Sequence, residues 1–216
     1  MNLTTVVGTC DAYLAAVPHF ITLYDRYFEP PLRKIMIGET TDIEHTDYEW
    51  ILPGTKQWGE RMLSGLELVQ TEYTFFVLED YYLSQLLTTE FIEYLIKFMD
   101  RYQADKLSLT PVPDFACHRY SETINTIHRM STDSDSMTSL QPAIWRTSEL
   151  MRVMKSNYTP WDFEVVGDSI VKGVKDNYFV AKLDEPIYFN FVRRGGVLSE
   201  GWEEFLTVQN LQPITN

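Results

Sequence analysis

An α/β fold, one domain with a mostly parallel central sheet flanked by helices and a smaller antiparallel part, follows from three observations on this sequence. Two short apolar runs, residues 4–9 ending at Gly8 and residues 34–38, bracket an amphipathic helical stretch at the spacing of a βαβ unit, whose crossover should be right-handed. A third run, Thr74-Phe75-Phe76-Val77-Leu78, is uncharged and rich in aromatic and β-branched residues, as a strand buried on both faces should be, and it stops at the acidic pair Glu79-Asp80. The chain has 216 residues, no internal repeat and no Pro/Gly/Ser-rich linker, which suits a single domain.

Taken in order, the first strand leads into a loop, Cys10-Asp11-Ala12-Tyr13, at the carboxyl edge of the sheet. Pro18 is well placed to open the next helix, and Phe20, Ile21, Tyr24, Tyr27 and Phe28 give that helix an apolar face before Glu29-Pro30-Pro31 ends it. The second strand runs into the polar loop Glu39-Thr40-Thr41-Asp42. After Pro53-Gly54, a helix over residues 56–69 carries Trp58, Met62, Leu63, Leu66 and Val69 on one side and delivers the chain to the central strand. A helix over 90–102 and a strand over 106–110 follow, closed by Pro111 and Pro113. Residues 115–140 alternate and then break at Ser131-Thr132-Asp133-Ser134-Asp135-Ser136, predicting a hairpin-like excursion. Residues 139–145 read as extended, with Pro142 limiting them to an edge or a strand start. A short helix over 148–155 comes next. Thr159-Pro160-Trp161-Asp162 then opens another helix, with Thr159 as cap and Asp162 at its third position. Strands over 178–183 and 187–192 lead to Arg193-Arg194-Gly195-Gly196.

Composition excludes several classes of partner. A formal net charge of −13 argues against a nucleic-acid backbone or an anionic membrane surface, both of which need a basic face. No apolar run reaches membrane-spanning length and no leader pattern opens the chain, so the expectation is a soluble, cytoplasmic protein. Cys10 and Cys117 are the only cysteines, too few for a disulfide framework and without metal-ligand spacing.

The acidic pair is the most informative feature. Ligands of open α/β sheets bind outside the carboxyl ends of the strands, and oxygen ligands there suit a hard cation, which makes Asp80 a candidate ligand for Mg²⁺ or Mn²⁺. The competing reading is that Glu79 and Asp80 only open a solvated turn.

The order of these features resembles the nucleotide-sugar-dependent glycosyltransferases of the GT-A fold. A first strand with a short loop, an acidic residue after the second strand, an arginine-bearing helix, a strand ending in Glu79-Asp80 and a later Trp161-Asp162-Phe163-Glu164 carry the resemblance, which covers most of the chain. Similarity is greatest to small viral or bacterial members, including the chlorella-virus type implicated in glycosylating a capsid protein. The family's Asp-x-Asp signature is absent as such, Leu78-Glu79-Asp80 standing in its place. The resemblance implies a nucleotide-binding part over about residues 1–110, an acceptor-side part over about 111–216, a nucleotide-sugar donor of the UDP-sugar kind, a glycan or glycoprotein acceptor, and Mn²⁺ or Mg²⁺ as cofactor.

Charge supports this reading independently. A nucleoside diphosphate sugar adds about two negative charges to an acidic protein, and a like-charge contact at ~4 Å costs roughly 4 kcal/mol at an effective dielectric near 20. A divalent cation on Asp80, with Glu79 assisting through water, would offset that repulsion and stabilise the departing nucleotide. The resemblance places Arg61 near the nucleotide, although it is equally a surface residue paired with Glu60 or Glu67. It makes Asp42 an acceptor of hydrogen bonds from base or ribose, or else a turn cap. Thr9, Asp11 and Tyr13 would lie against base and ribose on positional grounds. Arg193 and Arg194 would close over the diphosphate, or form an exposed turn.

With inversion, a carboxylate must take the acceptor's proton opposite the diphosphate, and Asp162 or Glu164 would serve. Asp162 is equally explained as a helix-start residue. Trp145 and Trp161 are candidate sugar platforms or core. Two rival functions remain. A nucleotidyltransferase would normally show a Gly-rich basic loop after the first strand, which Gly8-Thr9-Cys10-Asp11 lacks, and a non-catalytic carbohydrate-binding or assembly module would keep the fold without turnover.

Overall fold

The structure is a computed structural model and describes residues 1–44, 47–111, 120–183, 185–193, 197–198 and 200–212. The chain begins with β1 (Leu3–Gly8), a 3₁₀ turn (Asp11–Ala16) and α1 (Val17–Tyr27), followed by β2 (Lys34–Ile37), β3 (Glu49–Ile51) and α2 (Trp58–Leu66). Next come β4 (Tyr73–Leu78), β5 (Tyr81–Leu83), α3 (Thr89–Tyr102), β6 (Lys106–Pro111) and the hairpin β7 (Tyr120–Ile124) and β8 (Ile127–Met130). The last third holds β9 (Ala143–Arg146), α4 (Thr147–Val153), α5 (Pro160–Val171), β10 (Tyr178–Leu183), β11 (Tyr188–Asn190), β12 (Val192–Arg193), β13 (Val197–Leu198) and α6 (Trp202–Gln209). No helix among the described residues is long and apolar enough to cross a membrane.

Nine strands form one sheet in the order β3-β2-β1-β4-β9-β6-β10-β8-β7. The pairs β3/β2, β2/β1, β1/β4 and β6/β10 are parallel, whereas β9 runs antiparallel to both β4 and β6, and β8 to both β10 and β7. β5 and β11 make a separate antiparallel pair, with Tyr82 opposite Phe189 and Tyr81 opposite Asn190. Successive residues of the buried strands face opposite layers, as the two-residue strand period requires. Val7, Phe75, Leu107 and Phe179 pack with α1, α3 and α6, while Val6, Phe76, Trp145 and Tyr178 pack with α2, α4 and α5. The helices are set by local chemistry: Thr88 caps α3 by accepting from the Phe91 N–H at 3.2 Å, and Thr159 and Asp162 form a reciprocal capping box on α5.

The expected α/β architecture is therefore present, with one difference of position. Pro142 lies just before β9, as a strand-start proline should, yet the strand itself is central and wedged between β4 and β6. The proline is tolerated because it stands outside the ladder, where its carbonyl accepts from the Leu109 N–H at 2.9 Å. The excursion expected over 115–140 is the β7/β8 hairpin, extending the sheet through β10; residues 112–119, with Cys117, lie outside the described residues.

Helix α2 approaches the chain after α4 so closely that only glycine fits at position 59. A Cβ there would stand 1.9 Å from the Lys155 carbonyl oxygen, and the Gly59 N–H donates to the Tyr158 carbonyl at 2.9 Å. The obstructing atom is backbone and cannot swing aside. Gly59→Ala, although it raises helix propensity by about 1 kcal/mol, is expected to destabilise the protein by about 1–3 kcal/mol through overpacking, read from its denaturant midpoint. An unchanged or raised midpoint would contradict this contact.

Candidate functional site

The sheet's connections diverge at β1, with β2 on one side and β4 on the other, and this is the switch point at which open α/β sheets leave a crevice at their carboxyl edge. A cleft of about 380 Å³ opens there. Gly8 and Thr9 from the end of β1, Glu79 and Asp80 from the end of β4, and Arg61 from α2 line it, with Trp161 and Glu164 of α5 on the facing wall.

Arg61 is 4% exposed, and its Nη1 donates to the carbonyls of Thr9 at 2.9 Å and Gly38 at 3.1 Å, with Nη2 at 3.6 Å from Glu39. It is neither a surface residue nor a partner of Glu60, which instead pairs with Lys56 at 3.0 Å. Burial, reinforced by the adjacent Asp80, holds the Glu79 carboxyl well above the usual carboxylate range and favours its neutral form. Burial also pushes Asp80 up to about 6; the amide of Asn190 opposes the rise by donating to Oδ2 at 3.1 Å, and the charge of Glu164 adds to it. The second oxygen, Asp80 Oδ1, is buried and has no hydrogen-bond partner. A buried acceptor left in this state is costly unless something electropositive reaches it.

That orphaned oxygen is the observation against which a divalent cation can be tested. An oxygen donor at the mouth of a diphosphate-sized cleft fits Mg²⁺ or Mn²⁺, which bind through one or two carboxylates and complete their shell with substrate phosphates and water. Among the described residues no group of three His, Cys, Asp or Glu side chains is arranged to hold a metal alone, so any such site is shared with a ligand.

The other residues singled out from the sequence separate into those brought together and those not. Thr9 and Tyr13 line the cleft with Glu79, Asp80, Arg61 and Glu164. Asp11 does not line it. Its carboxylate instead pins the loop after β2, accepting from the Thr40 hydroxyl and from the Thr40 N–H at 3.1 Å and Thr41 N–H at 3.3 Å, and these bonds, the Thr40 hydroxyl foremost, lower its pKa. Pinning this loop turns Glu39 toward Arg61 and leaves Asp42 exposed, away from the cleft lining. Asp162 is likewise outside the lining: its Oδ2 accepts from the Thr159 N–H at 2.9 Å and hydroxyl at 2.7 Å, so its carboxylate serves the helix start. Arg193 falls in β12, but its side chain and residues 194–196 lie outside the described residues. Trp145 is core at 1% exposure, whereas Trp161 is 58% exposed at the cleft.

Glu39, Tyr81, Leu140 and Asn190 were not legible as site residues. Tyr81 directly follows the acidic pair, a proximity that would have found it. Asn190 sits in an ordinary alternating strand and reaches Asp80 only through the β5/β11 pairing.

No family model matches the chain, and no curated protein matches it. Among solved structures it is similar to Staphylococcus aureus TarS: the 1–349 segment in complex with UDP superposes with a TM-score of 0.54 at 15% identity, over 87% of this chain and 59% of that one. The complex of the same segment with UDP-GlcNAc gives a TM-score of 0.55 at 14% identity, over 86% and 60%. A UDP-glucose pyrophosphorylase complexed with UDP-glucose follows at 0.49 and 9% identity, over 85% and 92%, too distant to carry an argument. The chain spans about six-tenths of the length of those TarS structures. The likeness is one of fold, a mixed α/β sheet of the GT-A type flanked by helices.

The wall of the cleft formed by Leu140 rests on a buried lysine. Lys106 is fully buried, its Nζ donating to the carbonyls of Met137 at 2.8 Å and Ser139 at 3.0 Å and standing 4.7 Å from the centre of the Trp145 ring. Two acceptors are what the two N–H bonds of a neutral amine satisfy. Burial lowers its pKa to about 7, against the raising influence of Glu164 and Asp168. An unfolded lysine retains its proton up to about 10.4, so between about 7 and that value the unfolded chain binds a proton that the folded one does not. This group's contribution to stability therefore rises with pH across that window and is lost as pH falls through about 7. Lys106→Met should remove this component: the stability difference between wild type and variant, from urea melts, should shift toward wild type from pH 6.5 to 9.5. A difference that stays constant with pH would refute the assignment.

Proposed function

We propose that the chain is a metal-assisted glycosyltransferase that moves a sugar from a UDP-sugar donor to a hydroxyl group of a glycan, with inversion. The observation that carries this reading is the pairing, across one cleft, of Asp80 with its orphaned Oδ1 and Glu164 on α5. The likeness in fold to TarS, solved with UDP and with UDP-GlcNAc, supports a nucleotide-sugar donor in this crevice.

In this reading the uridine lies against Thr9 and Tyr13, and the diphosphate lies toward Arg61 and the end of β4. A bound Mn²⁺ or Mg²⁺, held by Asp80, would supply positive charge to the diphosphate and ease departure of the nucleotide. Asn190 fixes the Asp80 carboxylate through Oδ2, so that Oδ1 keeps one direction. Arg61, already committed to two carbonyls, contributes a fixed positive field rather than a mobile clamp. Glu164 takes the proton of the attacking hydroxyl. Its Oε1 accepts from the Leu140 N–H at 2.8 Å, which orients the carboxylate and leaves Oε2 for the acceptor.

Two variants test the assignment. Calorimetric titration should find UDP binding that depends on Mn²⁺, with Asp80→Asn reduced at least tenfold toward the level seen in EDTA; metal-independent binding, or a variant that binds normally, would sink the cation site. Glu164→Gln keeps an oxygen for the Leu140 N–H and should lose about 10²–10⁴ in kcat while UDP affinity stays near wild type. Full turnover in that variant would assign the base elsewhere.

A further inference from the structure

Beside the cleft lies a second cavity of about 450 Å³, and the two share Tyr81 and Glu164 as a common wall. Ser136, Ser139 and Gln141 from the segment before β9 line it, with Glu164, Val165 and Asp168 of α5. We propose that this second cavity receives the acceptor, and that the acceptor is an uncharged, hydroxyl-rich saccharide rather than a phosphorylated or carboxylated one. The assignment rests on the glycosyl-transfer reading of the first cleft.

The character of the walls carries the choice of class. Asp135, Glu164 and Asp168 bring three carboxylates to the lining, and no lysine or arginine is among the described residues that form it. The two lysines held against this wall are already engaged: Lys172 pairs with Asp135, and Lys106 is buried on the carbonyls of Met137 and Ser139. An anionic chain would meet carboxylates with no free counter-charge, whereas sugar hydroxyls can donate to them. Asp168 and Glu164 also shape the wall, Asp168 accepting from the N–H groups of Ser136, Met137 and Thr138, and Glu164 from that of Leu140. Gln141 is oriented by Tyr188, whose hydroxyl donates to its Oε1 at 2.8 Å.

Val165, 72% exposed, lines this cavity one residue beyond Glu164, and Trp161, 58% exposed, lines the first cleft one turn earlier. Together they offer an apolar strip on which the C–H face of a pyranose can rest. A hydroxyl of a saccharide seated here reaches Glu164 at the shared wall. There its oxygen bonds to the anomeric carbon of the donor, the bond from that carbon to the phosphate oxygen breaks with its electron pair leaving on the diphosphate, and the proton passes to Glu164.

The test uses the intact protein with UDP and Mg²⁺ and matched sugar pairs: glucose with glucose 6-phosphate, mannose with mannose 6-phosphate, and glucose with glucuronate. Ligand-observed NMR should show saturation transfer to the neutral member of each pair and at least tenfold weaker transfer to the anionic one. Val165→Trp, a change at an exposed position, should abolish the neutral sugars' signal while UDP affinity and the melting temperature stay at wild-type values. Preference for the anionic members, absence of binding by every sugar, or signals unaltered by Val165→Trp while UDP still binds would overturn this proposal alone. Failure of the wild type to bind UDP would remove the transfer reading as well.

Discussion

The guanidinium of Arg61 is the interaction on which the site depends. Burying a cation is expensive, and the cost is offset only when its donors are used and an opposite charge is near. Arg61 meets these conditions in part at the junction of three elements: Nη1 binds the carbonyls of Thr9 and Gly38, which follow β1 and β2, and Glu39 stands 3.6 Å from Nη2, while the buried Nε has no partner among the described residues. The result is a floor of fixed shape beneath the crevice. It also places positive charge beside the buried carboxyl groups of Glu79 and Asp80 at the end of β4, in a chain of net charge −13.

Topology explains why the opposite wall comes from so far along the sequence. Because β9 inserts antiparallel between β4 and β6, the chain must return to the carboxyl edge of the sheet before entering β9. The segment that makes this return, residues 131–142, therefore crosses beside the acidic strand tip. Its conformation is imposed from two sides, by Lys106 on its carbonyls and by Glu164 and Asp168 on its N–H groups. A loop held this way needs little regular hydrogen bonding of its own, since its backbone groups are satisfied by buried or half-buried side chains.

What was legible in the sequence follows from the range of the interactions involved. Period, capping residues and breakers act within a few positions, so α1, α3, α5 and the strands around Val6, Phe75 and Leu107 could be read directly. The same local logic exposed Glu79-Asp80 as a strand tip. The centrality of β9 was hidden because Pro142 argues locally against a buried strand, and only the sheet as a whole shows that the proline lies outside the ladder. Asp162 and Glu164, two residues apart on one helix, were both candidate bases in sequence, with a helix-start role as the alternative for Asp162. A two-residue step rotates a side chain by more than half a turn around the helix axis, so one carboxylate folds back onto Thr159 while the other faces the cleft. Asn190 and Lys106 had no local signal, because their roles arise from partners dozens of residues away.

The arrangement separates charge along a single helix. Toward its start, Trp161 and Glu164 face a cleft that contains a buried arginine and an aspartate whose unpartnered oxygen could hold a divalent cation, which would offset a diphosphate. One turn on, Val165 and Asp168 face a cavity whose neighbouring lysines are consumed in holding its own wall. Two ligands of opposite electrostatic character can therefore bind at adjacent positions without competing for the same groups. Glu164 is common to both, and a carboxylate placed at the boundary between a cation-offset site and an acidic one is where a proton released by a neutral nucleophile would be accepted. If the proposed transfer reading holds, this distribution of acidity would relieve repulsion at the donor end and retain it at the acceptor end, where it would act as a filter.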